Sequence, residues 1–188
     1  MKLNGLYGTI HLGLPVTASR ECFGDRGTSH KSPGVNPLDE PISTFDRVMK
    51  VFERRYGAQL ERFEVPPPVF TELGGEFIEF DLEQGALTAR FPIEARFLNP
   101  YGVLQGGMIA AAIDNTLGPL SMLIAPPNLT RKMEIKYSRP AKLEDKYLIV
   151  SAQLEKQDGR RLFLKADTRT PGGELLVRAR VMHWIIEP

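Results

Sequence analysis

The stretch "NPYGVLQGG", residues 99–107, runs into the apolar segment "MIAAAI" and meets a carboxylate at Asp114. Each part of that order has a chemical use. At the start of a helix the first backbone N–H groups lack internal partners and carry partial positive charge, so they attract anions. Gly106 and Gly107 stand where the absence of side chains would let a ligand reach those groups, including a carbonyl oxygen turning into an oxyanion. The pair equally suits a tight turn into a helix. Asp114, set in an apolar run and therefore expected to be buried, could act as general base or nucleophile. It also reads as a satisfied core acid or an interface ion-pair partner. Eight residues of helix separate Gly106 from Asp114, roughly 12 Å along the axis, too far for one chain to aim both at one carbon. Two copies paired about a two-fold axis with these helices antiparallel would close that gap.

Two further residues fit around this pair. The Asn99 amide, in the entry loop, could orient a carbonyl or a water, although Asn before Pro is also ordinary turn chemistry. The Thr130 hydroxyl could hold a water or the Asp114 carboxylate, and alone it is an ordinary strand threonine. His11, His30 and His183 form no metal-ligand spacing, and His183, within "VMHWII", reads as a strand residue. Neither a nucleophile elbow nor a phosphate loop is present; Gly-Gly before "MIAAAID" lacks the lysine of the latter.

The elements that must position these groups follow from periodicity. "STFDRVMKVFERRYGAQLERF" places Phe45, Val48, Met49, Phe52, Tyr56, Leu60 and Phe63 on one helical face, opened by a Ser43/Asp46 cap and closed by Pro66-Pro67-Pro68. Its basic residues alternate with acids, as on a solvated outer face. Residues 77–82 and 86–93 flank "EQG" as a hairpin. Residues 129–137 alternate strictly, with Leu129, Arg131, Met133, Ile135 and Tyr137 opposite Thr130, Lys132, Glu134 and Lys136, the pattern of a half-buried strand. Strands over 146–155, 162–170 and 175–186 follow, separated by Asp158-Gly159 and Pro171-Gly172-Gly173 turns. Between them lies a helix over about 107–125, apolar nearly all round, which must be enclosed and should kink or end at Pro119. The expectation is an α+β fold: a curved antiparallel sheet of about six strands wrapped around a long central helix.

With 188 residues and 42% hydrophobic content, one domain with a real core is expected. Residues 1–40, rich in Gly, Pro and Ser, read as a flexible extension, 41–66 as the amphipathic helix and 69–188 as the main domain. Lys2 precedes only a weakly apolar, interrupted segment, so no secretory signal is expected. A net charge of +1 recommends neither nucleic acid nor an anionic membrane as partner. Asp114, Asn115 and Pro119 disqualify the apolar run as a membrane span. The single cysteine, Cys22, excludes an internal disulfide framework and points to a reducing, cytoplasmic setting.

"NPYGVLQGGMIAAAID" resembles the Asn-Pro-x-Gly-x-x-His-Gly-Gly, helix, Asp signature of the PaaI-like acyl-CoA thioesterases, in the hotdog-fold superfamily. "MEIKYSRPAKLED" and the closing "DGRRLFLKADTRTPGGELLVRARVMHWI" are similar to later segments of that family, so the likeness covers about residues 70–188. It implies a hotdog fold, homodimers often doubled into dimers of dimers, and hydrolysis of acyl-CoA at sites shared between subunits, with no metal or other cofactor. Carried over by position, it implies Asp114 as the catalytic acid, Gly106 as oxyanion donor, Asn99 as the loop amide and Thr130 as the residue assisting the water. Gln105 stands where the family has His; with Gly107 it is a substrate-contact position, and it cannot become cationic. CoA phosphates would need cations, for which Arg139, Arg160 and Arg161 are candidates. The departure at Gln105 keeps a non-catalytic acyl-CoA-binding module open. A dehydratase or hydratase, which would need a catalytic His, is disfavoured by the position of His183.

Overall fold

A computed structural model describes residues 42–186, so the expectations for residues 1–40, including Cys22 and a flexible extension, lie outside the described residues. Helix α1 (Thr44–Tyr56) leads through a 3₁₀ turn (Gly57–Arg62) to the short α2 (Pro68–Glu72). Strands β1 (Glu76–Asp81) and β2 (Ala86–Pro92), helix α3 (Gly106–Ile124), and strands β3 (Asn128–Tyr137), β4 (Tyr147–Asp158), β5 (Arg161–Arg169) and β6 (Leu175–Ile185) follow. The strands form one antiparallel sheet in the order β1-β2-β4-β5-β6-β3, wrapped around α3. This is the hotdog-type arrangement expected from the sequence.

The core is where the two periodicities meet. Ile113, Leu117 and Leu120 on α3 are completely buried, facing alternate residues of the sheet such as Val150, Leu164 and Val177. Each such side chain stabilises the fold by about 1.5–3 kcal/mol. The hairpin between β4 and β5 turns at Gly159, whose φ of 57° is a left-handed conformation that favours glycine.

Several expectations are corrected. The α-helical part of the N-terminal segment stops at Tyr56 rather than continuing to residue 66, because Gly57 takes φ 50° and the chain tightens into a 3₁₀ turn. Leu60 and Phe63 still pack on the core, so the inward pattern outlasts the helix. The cap itself forms: the Asp46 N–H donates to Ser43 Oγ at 3.1 Å, and the Ser43 hydroxyl donates to the Asp46 carboxylate at 2.8 Å. Helix α3 runs through Pro119 to Ile124 without ending there. By length and composition α3 would suffice to cross a membrane, yet nine of its residues are buried.

The largest correction concerns β3. It is an edge strand, with Leu129 58% and Tyr137 50% exposed, rather than a half-buried one. Its strict alternation is also broken. The register against β6 shifts between Thr130 and Lys132, so Thr130 pairs with His183 while Lys132 pairs with Met182, and Arg131 is the extra residue. A bulge of this kind flips the sidedness of what precedes it. Thr130 thereby joins the inward face of Met133, Ile135 and Tyr137 instead of opposing it.

Candidate active site

Helix α3 presents two points of chemical interest, its start and Asp114 in its middle, both tied to β3. At its start, Gln105 is the N-cap residue and its side chain makes no cap bond. The Met108 N–H donates to the Gln105 carbonyl at 2.9 Å, whereas no acceptor among the described residues takes the Gly106 or Gly107 N–H. The Tyr137 hydroxyl donates to the Gly106 carbonyl at 2.8 Å. A Cβ on Gly106 would lie 3.2 Å from the Tyr137 ring, so a side chain here would have to displace that ring by a few tenths of an ångström. One on Gly107 would meet nothing within 4 Å, leaving that side of the helix start open.

The entry loop is fastened by Asn99. Its Oδ1 accepts from the Tyr101 N–H at 2.9 Å and its backbone N–H donates to the Val103 carbonyl at 2.8 Å. With the oxygen occupied by this turn, the Asn99 Nδ2 group keeps both protons for another acceptor. The turn therefore occupies only one end of this amide.

Two turns along α3, Asp114 is exposed, which overturns the expectation of a buried carboxylate. The helical run is apolar because its neighbours Ala112, Ile113 and Leu117 face the core, while Asp114 falls on the uncovered flank. It lines a largely apolar cavity of about 520 Å³ between α3 and the N-terminal segment, whose other walls include Phe52, Phe63, Val69, Pro119 and Met122. The Thr130 hydroxyl donates to Asp114 Oδ1 at 2.9 Å. Sequence reasoning paired these two residues correctly but placed Thr130 on the wrong face.

It missed His183. This ring is 2% exposed, with Nε2 3.0 Å from Thr130 Oγ1 and Nδ1 2.9 Å from Asn128 Oδ1. Burial pushes its pKa below the ordinary value of 6.5, and the Asp114 charge partly opposes that shift. One signal existed in the sequence: His183 keeps step with Val177, Ala179 and Val181, the inward residues of β6. A histidine at such a position must find partners inside.

The cationic candidates separate. Arg139, near Gly106, is engaged by Asp145 and Glu174, each at 2.9 Å. Arg161 pairs with Asp158. Arg160 donates through Nε to the Ile185 carbonyl at 2.8 Å and stacks over the Trp184 ring at 5.5 Å, at the end of the sheet that holds His183. Arg139 is therefore committed within the fold, and Arg160 and Arg161 lie nearer the acidic end of the site. Within one chain Asp114 and Thr130 come together, whereas Gly106 stands at the helix start against Tyr137 and Asn99 in the loop before it, bonded to Tyr101 and Val103.

Fold and site together define a hotdog protein with a helix-borne carboxylate. The thioesterase superfamily profile matches residues 101–177. Human acyl-coenzyme A thioesterase 13 is 27% identical over 114 residues, 59% of this chain and 81% of that protein. A solved phenylacetic acid degradation-related protein from Ralstonia eutropha JMP134 is similar at 28% identity and TM-score 0.61, covering 69% of this chain and 99% of that one. The E. coli PaaI protein of the phenylacetic acid degradation operon shares the fold, with TM-score 0.62 at 15% identity over 74% of this chain and 96% of its own. Over residues 101–177 the chain is similar to the thioesterase superfamily, and its fold is of the hotdog type.

Proposed function

We infer that the chain hydrolyses acyl-CoA thioesters to free acid and coenzyme A. The observation that carries this reading is the Asp114 carboxylate, exposed beside an apolar cavity and held in place by the Thr130 hydroxyl. The activity named for the human relative supports the substrate class. A thioester carbon within reach of Asp114 sets its acyl substituent against Phe63, Pro119 and Met122. Asp114 then removes a proton from water or attacks directly, both of which deliver an oxygen to the carbonyl carbon.

The oxyanion formed in either case needs donors. The Gly106 and Gly107 N–H groups, with the Asn99 amide of the entry loop, supply them from a second copy of the chain. The exposed β3 edge, which could pair with its own copy, favours that arrangement. Arg160 and Arg161, beside the β6 strand that carries His183, and Arg62, which lines the cavity with Asp114, are the cations available for the CoA phosphates. Gln105, exposed and without a side-chain bond, would contact the substrate as a neutral donor rather than as a cation.

The test is release of free thiol from a panel of acyl-CoA esters. Wild type should turn over at least one class, and Asp114→Asn should lower turnover by roughly 10²–10⁴-fold while acyl-CoA binding persists. Undiminished turnover in that variant removes Asp114 from the reaction. Tight acyl-CoA binding by wild type with no thiol released from any ester would establish the binding-module reading instead.

A further inference from the structure

The three groups Asp114, Thr130 and His183 are one proton short of a complete hydrogen-bond chain. Asn128 Nδ2 donates to the Pro126 carbonyl at 2.8 Å, which turns its Oδ1 toward the His183 ring. That oxygen can only accept, so His183 carries its proton on Nδ1 and offers the Nε2 lone pair to Thr130, an assignment made from the network. Thr130 Oγ1 lies 2.9 Å from Asp114 Oδ1 and 3.0 Å from His183 Nε2. With the carboxylate ionised and the ring neutral, two acceptors share a single hydroxyl proton. One added proton satisfies both. It can rest on Asp114, which then donates to Thr130 while Thr130 donates to Nε2, or on Nε2, which donates to Thr130 while Thr130 donates to the carboxylate.

We propose that His183 is the positioning residue of this site and the store for the proton that Asp114 withdraws from water, with the Thr130 hydroxyl as the relay. The proposal rests on the general-base form of the hydrolase reading. As the water oxygen bonds to the thioester carbon, its proton passes to Asp114 Oδ. Thr130 accepts that proton and passes its own to His183 Nε2, so Asp114 is again a carboxylate beside the tetrahedral intermediate. When the carbon–sulfur bond breaks, the proton returns along the same path and leaves on the CoA sulfur. The products are the acid and the thiol, and no other reactant is consumed. The surroundings isolate this chain of groups. The cross-strand neighbours of His183 are Thr130 on β3 and Leu162 on β5, neither ionisable in the working range, and the charged group acting on the ring is Asp114 on α3.

The test combines rates with a direct view of the ring. His183→Gln should lower kcat by about tenfold or more with KM little changed, and should move the acidic limb of the pH–rate profile toward the range of a lone carboxylate. Thr130→Val should lower kcat as well, Thr130→Ser should restore it, and the Thr130→Val/His183→Gln double variant should be no worse than the poorer single. A full-rate His183→Gln enzyme overturns the proposal. So does a slowed enzyme whose acidic limb is unmoved and whose loss simply multiplies with that of Thr130→Val, because the histidine would then only support the fold. Nitrogen NMR of histidine-labelled wild type does not depend on a variant that folds. It should show the Nδ1–H form at neutral pH, and an Nε2–H form would overturn the relay. The same spectrum keeps its meaning if wild type releases no thiol, the result that defeats the hydrolase reading itself.

Discussion

A threonine hydroxyl has one proton to give, and at Thr130 a carboxylate and an imidazole both face it. His183 is held there in its neutral form by burial, with Asp114 opposing. The consequence for stability has a definite sign. As pH falls through about 6.5 the unfolded chain takes up the histidine proton before the folded chain does, so the contribution of this ring, fully present above that value, is lost below it. Urea midpoints measured from about pH 7.5 to 5 should therefore drop more steeply for wild type than for His183→Gln. Parallel curves would mean that the ring titrates alike in both states. At this scale the sequence was legible where spacing alone decides: Gly106, Gly107 and Asp114 fall on α3 as expected. It was illegible where a single residue shifts a strand. Nothing in "LTRKMEIKY" marks Arg131 as a bulge, and without the bulge Thr130 points away from Asp114 and His183 has no hydroxyl to meet.

The N-terminal helix reads from its sequence as an amphipathic cover, and α1 does bury Val48, Phe52 and Tyr56. Its continuation does more. After the turn at Gly57, the chain brings Phe63 and Val69 opposite Pro119 and Met122 of α3, closing the cavity beside Asp114. Periodicity gave the inward residues but not the turn, since Leu60 and Phe63 continue the same three-and-four spacing after the α-helix has stopped. If the acyl group occupies this cavity, Met122→Ala should raise kcat/KM for longer acyl chains relative to shorter ones by about tenfold or more, since one methylene in an apolar pocket is worth about 1–3 kcal/mol in discrimination. An unchanged ranking across the acyl-CoA panel would place the acyl chain elsewhere.

Across the molecule, Asp114 and Gly106 stand apart for the same reason that α3 is a good core helix: eight residues of regular helix separate them by roughly 12 Å. Among the described residues the sheet ends at β3, whose unpaired edge and exposed Leu129 and Tyr137 are an invitation to a second copy that composition could not reveal. In the proposed dimer Asp114, with Thr130 and His183 behind it, meets the Gly106 N–H of a partner. Mixing two inactive chains tests this most directly, one carrying Asp114→Asn and the other Gly106→Val, whose added side chain also presses on Tyr137. After exchange half the dimers are mixed and each of these holds one intact site, so CoA release should recover to about a quarter of the wild-type rate. Mixed dimers demonstrated by mass spectrometry that still release no CoA would contradict the shared site.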